Sequence, residues 1–175
     1  IDIITINTST TGTIIVANAI DINGFASEVA AAFAAIDTNT GNATATITYA
    51  DYTVAQLKAI NNATTGAITL STTNTALSGD ATDLAEALAG TINYTGNVTV
   101  IDTAYTVSEL KAINAGTTGE ITLNNTGVDL TGTAADLVSA FTGTITTHTG
   151  DIIITDKPTS AQLAKIDAAT TGTIT

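Results

Sequence analysis

The chain has no cysteine, no tryptophan, no methionine and a single proline in 175 residues. The absence of cysteine excludes a disulfide framework. Arginine is also missing, and four lysines stand against 16 acidic residues, for a formal net charge of −12. A chain with so little positive charge cannot neutralise phosphates, which argues against nucleic acid as a partner. The same deficit disfavours docking on an anionic membrane. No apolar run is long enough to span a bilayer, so no membrane insertion is expected. Acidity of this degree favours solubility and association with divalent cations.

What is present is a core made of small pieces. Hydrophobic residues make up 44% and the mean hydropathy is +0.34, yet aromatic residues are only 4%. That much apolar content is incompatible with disorder from low hydrophobicity. Ala, Ile, Leu and Val without large rings suit thin, regular layers.

Internal repetition is the strongest signal. Thr53-Val-Ala-Gln-Leu-Lys-Ala-Ile-Asn61 matches Thr106-Val-Ser-Glu-Leu-Lys-Ala-Ile-Asn114 and Thr159-Ser-Ala-Gln-Leu-Ala-Lys-Ile-Asp167. A second pattern lies between them, with Gly79-Asp-Ala-Thr-Asp-Leu84 matching Gly132-Thr-Ala-Ala-Asp-Leu137. Leu57, Leu84, Leu110, Leu137 and Leu163 then follow one another at steps of 27, 26, 27 and 26 residues. The spacing predicts a helix–strand repeat of about 26 residues in two alternating versions, or a 53-residue double repeat.

Local chemistry supports this reading. Thr53/Gln56, Thr106/Glu109 and Thr159/Gln162 are capping boxes, which satisfy the free N–H groups of a helix's first turn. Asp80/Asp83 and Thr133/Asp136 are weaker versions in the alternate repeat. After each helix of the first kind comes Thr-Thr-Gly and a strand such as Ile68-Thr-Leu70 or Ile121-Thr-Leu123. Gly12, Gly41, Gly66, Gly96, Gly119, Gly150 and Gly172 precede the strands and read as corners free to take positive φ. Alternation within the strands predicts a sheet packed on one face. The N-terminal stretch fits least well, since Ile3-Ile-Thr-Ile6 is a poor helix former and marks a degraded first repeat.

Equal helix–strand repeats lead to parallel strands with right-handed crossovers. The expected fold is therefore α/β, a tandem-repeat solenoid with a parallel sheet and short helices on one side. Residues 1–175 are expected to form one segment, with double repeats at 1–52 (divergent), 53–105 and 106–158 and a partial one at 159–175. Both ends fall inside a repeat, so the chain is expected to be a piece of a larger protein.

The stretches TVAQLKAINNATTGAITL and GTAADLVSAFTGTITTHTGDIIITD carry a resemblance in style and composition. They resemble the Thr/Ala/Gly/Asp-rich tandem repeats of very large secreted bacterial surface proteins, notably those of cyanobacteria. The resemblance implies an extracellular or cell-surface location, and extension, display or adhesion without catalysis.

Candidate sites are few. His148 is the only histidine, and Ser139 and Asp151 are near enough in sequence to imagine a triad. It falls where the preceding copy has Tyr94 or Thr95, which reads as a loop position. Asp80, Asp83, Asp129 and Asp136 lie near helix starts and read first as turn and helix-terminus charges, and second as calcium ligands. No other cofactor is expected. Thr48, Thr69, Thr99 and Thr122 form an outward row that could bind glycan or ice, although ordinary β-propensity also explains threonine there. The expected function is structural and not enzymatic: a repeat module that extends, spaces or assembles a surface protein. Its expected partners are neighbouring repeats or copies of itself end to end in a filament; the alternative is a binding surface for a glycan or another surface ligand.

Overall fold

A computed structural model describes residues 3–90 and 92–175. Contacts divide the chain into an N-terminal lobe, Ile1–Thr75 with Glu86–Tyr94, and a C-terminal lobe, Ala76–Ala85 with Thr95–Thr175. Both are mixed α/β, and every strand pairing in either lobe is parallel.

The N-terminal lobe opens with α1 (Ile3–Ser9) and β1 (Ile15–Val16). It continues through β2 (Asp21–Gly24), α2 (Ala26–Ala34), β3 (Thr38–Asn39), β4 (Thr44–Ile47), α3 (Val54–Ala63) and β5 (Ile68–Leu70). β1 pairs with β3, and β2, β4 and β5 form a three-stranded sheet in that order. Helix α2 packs against α1, α3, β2 and β4. Ile22, Ala45, Ile47, Ile68 and Leu70 from the sheet are buried, as are Val29, Phe33, Leu57 and Ile60 from the helices. The poor helix former at Ile3–Ile6 is nevertheless helical. Thr8 and Ser9 direct their hydroxyls onto the Thr5 carbonyl at 3.0 and 2.8 Å, and Ile3 is buried. Ile3 is the buried residue of α1, while Ile4 and Ile6 remain exposed.

The C-terminal lobe uses β6 (Leu77–Gly79), β7 (Val98–Val100) and β8 (Ile121–Leu123), stacked in that order. Its second sheet pairs β9 (Leu130–Gly132) with β10 (Ile152–Ile154), and a single bridge joins Ile152 to Ile174 beyond it. The chain also forms α4 (Ala81–Ala87), α5 (Val107–Gly116), α6 (Ala134–Ala140) and α7 (Ser160–Ala169). Helix α5 packs on α6, and α6 on α7.

Register revises the expected repeat. Helices recur every 26 or 27 residues, but paired strand residues lie closer in sequence: Ala45 opposite Ile68, Leu77 opposite Val98, Val98 opposite Ile121, Leu130 opposite Ile152. The expectation of one strand per helix is therefore incomplete. Leu77-Ser-Gly79 and Leu130-Thr-Gly132 are additional strands, each nine residues after the start of the one before. A double repeat such as 68–120 thus supplies three strands, and the insertion reconciles the helix spacing with the shorter strand register.

The Thr-Thr-Gly corners explain how closely the turns of chain approach. Thr64, Thr117 and Thr170 are buried and 53 residues apart. Each hydroxyl donates to a carbonyl of the preceding turn: Thr64 to Ala43, Thr117 to Gly96 at 2.7 Å, Thr170 to Gly150 at 3.3 Å. Each also accepts from the glycine two residues on, at 3.0, 2.9 and 2.9 Å. The glycines do not serve as positive-φ corners; among described glycines only Gly24, Gly90 and Gly143 have positive φ. Gly119 is required for space, because a Cβ there would overlap the Gly96 carbonyl. The same clash awaits a side chain at Gly66, Gly150 or Gly172, each against backbone.

Candidate functional site

The sheet face offers the first candidate. Thr69 lies opposite Thr46, because Thr46 and not Thr48 shares its register. Thr48 falls after β4, where its hydroxyl donates to the Gly24 carbonyl at 2.9 Å. The expected row is corrected to Asn23, Thr46 and Thr69 in the N-terminal lobe. In the C-terminal lobe Ser78, Thr99 and Thr122 lie side by side. Thr69 and Ser78 are exposed, whereas Thr46, Thr99 and Thr122 are half-buried. Their inward neighbours, such as Val98, Val100 and Ile121, are almost completely buried, as strand alternation requires.

The acidic residues separate into different tasks. Asp129 accepts from the backbone N–H of Asp151 at 2.9 Å, and Asp151 accepts from that of Thr173 at 2.9 Å. Asn97 does the same for Glu120 at 3.0 Å. These side chains each close one turn of chain against the next. Asp102 reaches the N–H of Ala81 at 2.5 Å and Asp156 that of Ala134 at 2.7 Å, so two helix starts are capped from the following turn. Asp136 is bonded to Lys111 and to Thr133, and these bonds, with the lysine charge, hold its carboxyl below the usual range. Asp80 goes the other way. A hydrogen bond and like charge from Asp102, with a smaller contribution from Asp83, raise its pKa. Among the described residues no three His, Cys, Asp or Glu side chains are grouped to hold a metal ion. The four calcium candidates do not converge: Asp136 and Asp129 serve separate contacts, and Asp80 faces a second carboxylate.

The capping boxes form as the sequence implies. Thr53, Thr106 and Thr159 each accept from the third helical N–H, at 3.3, 3.2 and 3.3 Å. Lys58 pairs with Glu86 at 3.1 Å, and Lys111 with Asp136, from one helix to the next. Asn61 and Asn114, 53 residues apart, each donate to a carbonyl near the end of the following helix, Glu86 and Ser139, at 2.8 Å. Repetition in sequence thus repeats one set of polar joints.

No family model, curated protein or solved structure matches the chain. Its chemistry is therefore read from its own geometry.

A set of buried rings is not evident from the sequence pattern. Tyr52 and Tyr94 meet edge to face in the N-terminal lobe, with centroids 6.4 Å apart. Their hydroxyls donate to the carbonyls of Thr72 at 2.8 Å and Thr75 at 2.6 Å. Tyr105 repeats Tyr52 in the C-terminal lobe, donating to Asn125 at 2.6 Å. Its ring partner there is His148, with centroids 6.3 Å apart, and Phe141 lies 5.5 Å from the His148 ring. The one signal for them in the sequence is Tyr-Thr-Val, at residues 52–54 and again at 105–107. His148 is fully buried and takes the place of Tyr94, so it belongs to the core and not to a loop. Burial also raises the Tyr105 pKa to about 12.

An open groove of about 640 Å³ lies in the N-terminal lobe, beside Ile3, Ile4, Ile22, Asp21 and Glu28. A smaller one of about 260 Å³ in the C-terminal lobe is lined by Val107, Lys111, Gly132 and Asp136. In the second, the Lys111–Asp136 pair occupies the charged rim. No helix among the described residues is long and apolar enough to cross a membrane.

Proposed function

We propose that the chain is a structural repeat module, a solenoid segment with a parallel sheet and short helices on one side. It extends, spaces or assembles a large extracellular or cell-surface protein. The observation that carries this reading is the use made of the recurring polar residues. Thr64, Thr117 and Thr170, Asn61 and Asn114, and Lys58 and Lys111 each bind a neighbouring turn of the same chain. Residues that recur in order to join neighbours are what a one-dimensional stack needs. The resemblance to tandem repeats of bacterial surface proteins supports the same location and role, without catalysis.

Leu163 supports a partner of the same kind. Its counterparts Leu57 and Leu110 are completely buried, but Leu163 on α7 is 42% exposed. A neighbouring repeat or a second copy placed end to end would cover it. A second reading, a glycan- or ice-binding sheet face, is supported by the in-register pairs Thr46–Thr69 and Thr99–Thr122. Half-burial of three of those four narrows the surface it would offer.

Deleting residues 53–105 tests the leading reading. In a repeat module this removes one double repeat and rejoins equivalent positions, because Thr53 and Thr106 occupy the same place. The shortened chain should fold cooperatively, with unchanged circular dichroism per residue. Loss of cooperative unfolding would reject the module.

A further inference from the structure

We propose that His148 is an acid-sensitive catch: neutral, its ring closes the core of the C-terminal lobe between Tyr105 and Phe141, and protonation destabilises that lobe. This inference does not depend on the structural role proposed above.

Geometry makes the case. The ring is fully buried, and its Nε2 has no hydrogen-bond partner among the described residues. Nδ1 lies 3.5 Å from the Tyr105 hydroxyl. A neutral imidazole carries one N–H, whereas an imidazolium carries two and a charge. Burying that charge away from water is costly, and the Val128 carbonyl that faces the ring offsets only part of the cost. The backbone of His148 also holds the last turn. Its N–H donates to Ala169 at 3.0 Å, and its carbonyl accepts from Thr171 at 2.9 Å.

Repetition shows that the position is special. Tyr94 packs on Tyr52 and delivers a hydroxyl to the Thr75 carbonyl. Fifty-three residues after Thr75 stands Val128, whose carbonyl faces the His148 ring. One copy therefore closes its core with a phenol and the other with an imidazole, the side-chain type best suited to act as a switch in mild acid.

The titratable groups facing His148 are Tyr105, from the segment before α5, and Asp129, from the segment before β9; α6 is followed by the uncharged Phe141. Burial is the largest influence and lowers the His148 pKa. The Val128 carbonyl and the Asp129 charge oppose it without reversing it. A folded-state pKa below the unfolded one means that the unfolded chain takes up the proton first. The stabilisation is complete above the unfolded value, about 6.5, and is lost as pH falls from there towards the folded value. Within that window a one-proton difference shifts the folded-to-unfolded ratio about tenfold per pH unit.

Two measurements on the full chain decide the matter. As the only histidine, His148 gives one resolvable ring Hε1 resonance, and in the folded protein it should titrate below pH 6.5. Urea unfolding at pH 6.5 and 5.5 should then show wild type losing up to about fivefold more of its folded-to-unfolded ratio than His148→Tyr or His148→Phe. Both variants retain Asp136 and Glu109, whose lowered pKa values also withdraw stability in acid, so the difference isolates the ring. A resonance titrating at or above 6.5, or wild-type and variant pH profiles that coincide, would overturn the proposal. Should neither variant fold, the wild-type titration still decides.

Discussion

Replacing Gly119 with alanine is expected to destabilise the protein by about 3 kcal/mol, at the upper end of the usual cost of overpacking. The new Cβ would meet the Gly96 carbonyl and the backbone N–H of Asn97, and backbone cannot rotate away as a long side chain can. Thr117 would be disturbed as well, since its buried hydroxyl bridges the Gly96 carbonyl and the Gly119 N–H. Gly127→Ala is the control. There the nearest atoms are side-chain oxygens of Asn125 and Thr149, both at 3.7 Å, which is ordinary contact. That change should lie within about 1 kcal/mol of wild type, because alanine also restricts the unfolded chain. Urea midpoints followed by circular dichroism provide the comparison. Equal losses at the two sites would mean that close stacking at Gly119 is not the constraint.

Truncation of leucine should split the three equivalent helices in the same way. Leu110→Ala is expected to cost about 3–4 kcal/mol, since a completely buried leucine loses its transfer energy and leaves a cavity. Leu163→Ala should cost under about 1 kcal/mol, because that side chain is 42% exposed and its environment can relax. The two leucines hold the same place in the matching segments Thr106–Asn114 and Thr159–Asp167, which makes the contrast a test of position in the fold. Against a total stability of order 5–15 kcal/mol, the first loss is large. Comparable losses at both sites would show Leu163 to be covered in solution, and light scattering over a concentration series would show whether a second copy covers it.

Features set by neighbours along the chain are legible in the amino-acid sequence. Thr53 and Gln56 are one helical turn apart, so their capping box follows from spacing alone. The same holds for the burial of Leu57 and Ile60 on one helix face. Features set by neighbouring turns of chain are less visible. A glycine before a strand looks like a dihedral requirement, and only register shows that Gly119 faces a carbonyl more than 20 residues away. Three-residue strands ending in glycine, such as Leu77–Gly79, carry too little alternation to stand out. The threonine row shifts by two residues, from Thr48 to Thr46, because both lie on the same parity of the strand and only pairing distinguishes them. The polarity of His148 suggests a loop, whereas its equivalence to Tyr94 points to the core. For the candidate site, the recurrence of Asn61 and Asn114 is readable, but the carbonyls they bind are not.

Successive turns pair in parallel, with residue partners a little over 20 positions apart. Interstrand nuclear Overhauser contacts between β7 and β8 test it most directly. Hα–HN contacts are expected in the register Val98–Ile121, Thr99–Thr122 and Val100–Leu123, with the Val98 N–H bonded to Glu120 and the Asn124 N–H to Val100. Strong Hα–Hα contacts, the mark of antiparallel neighbours, or a pairing displaced from this register would contradict it.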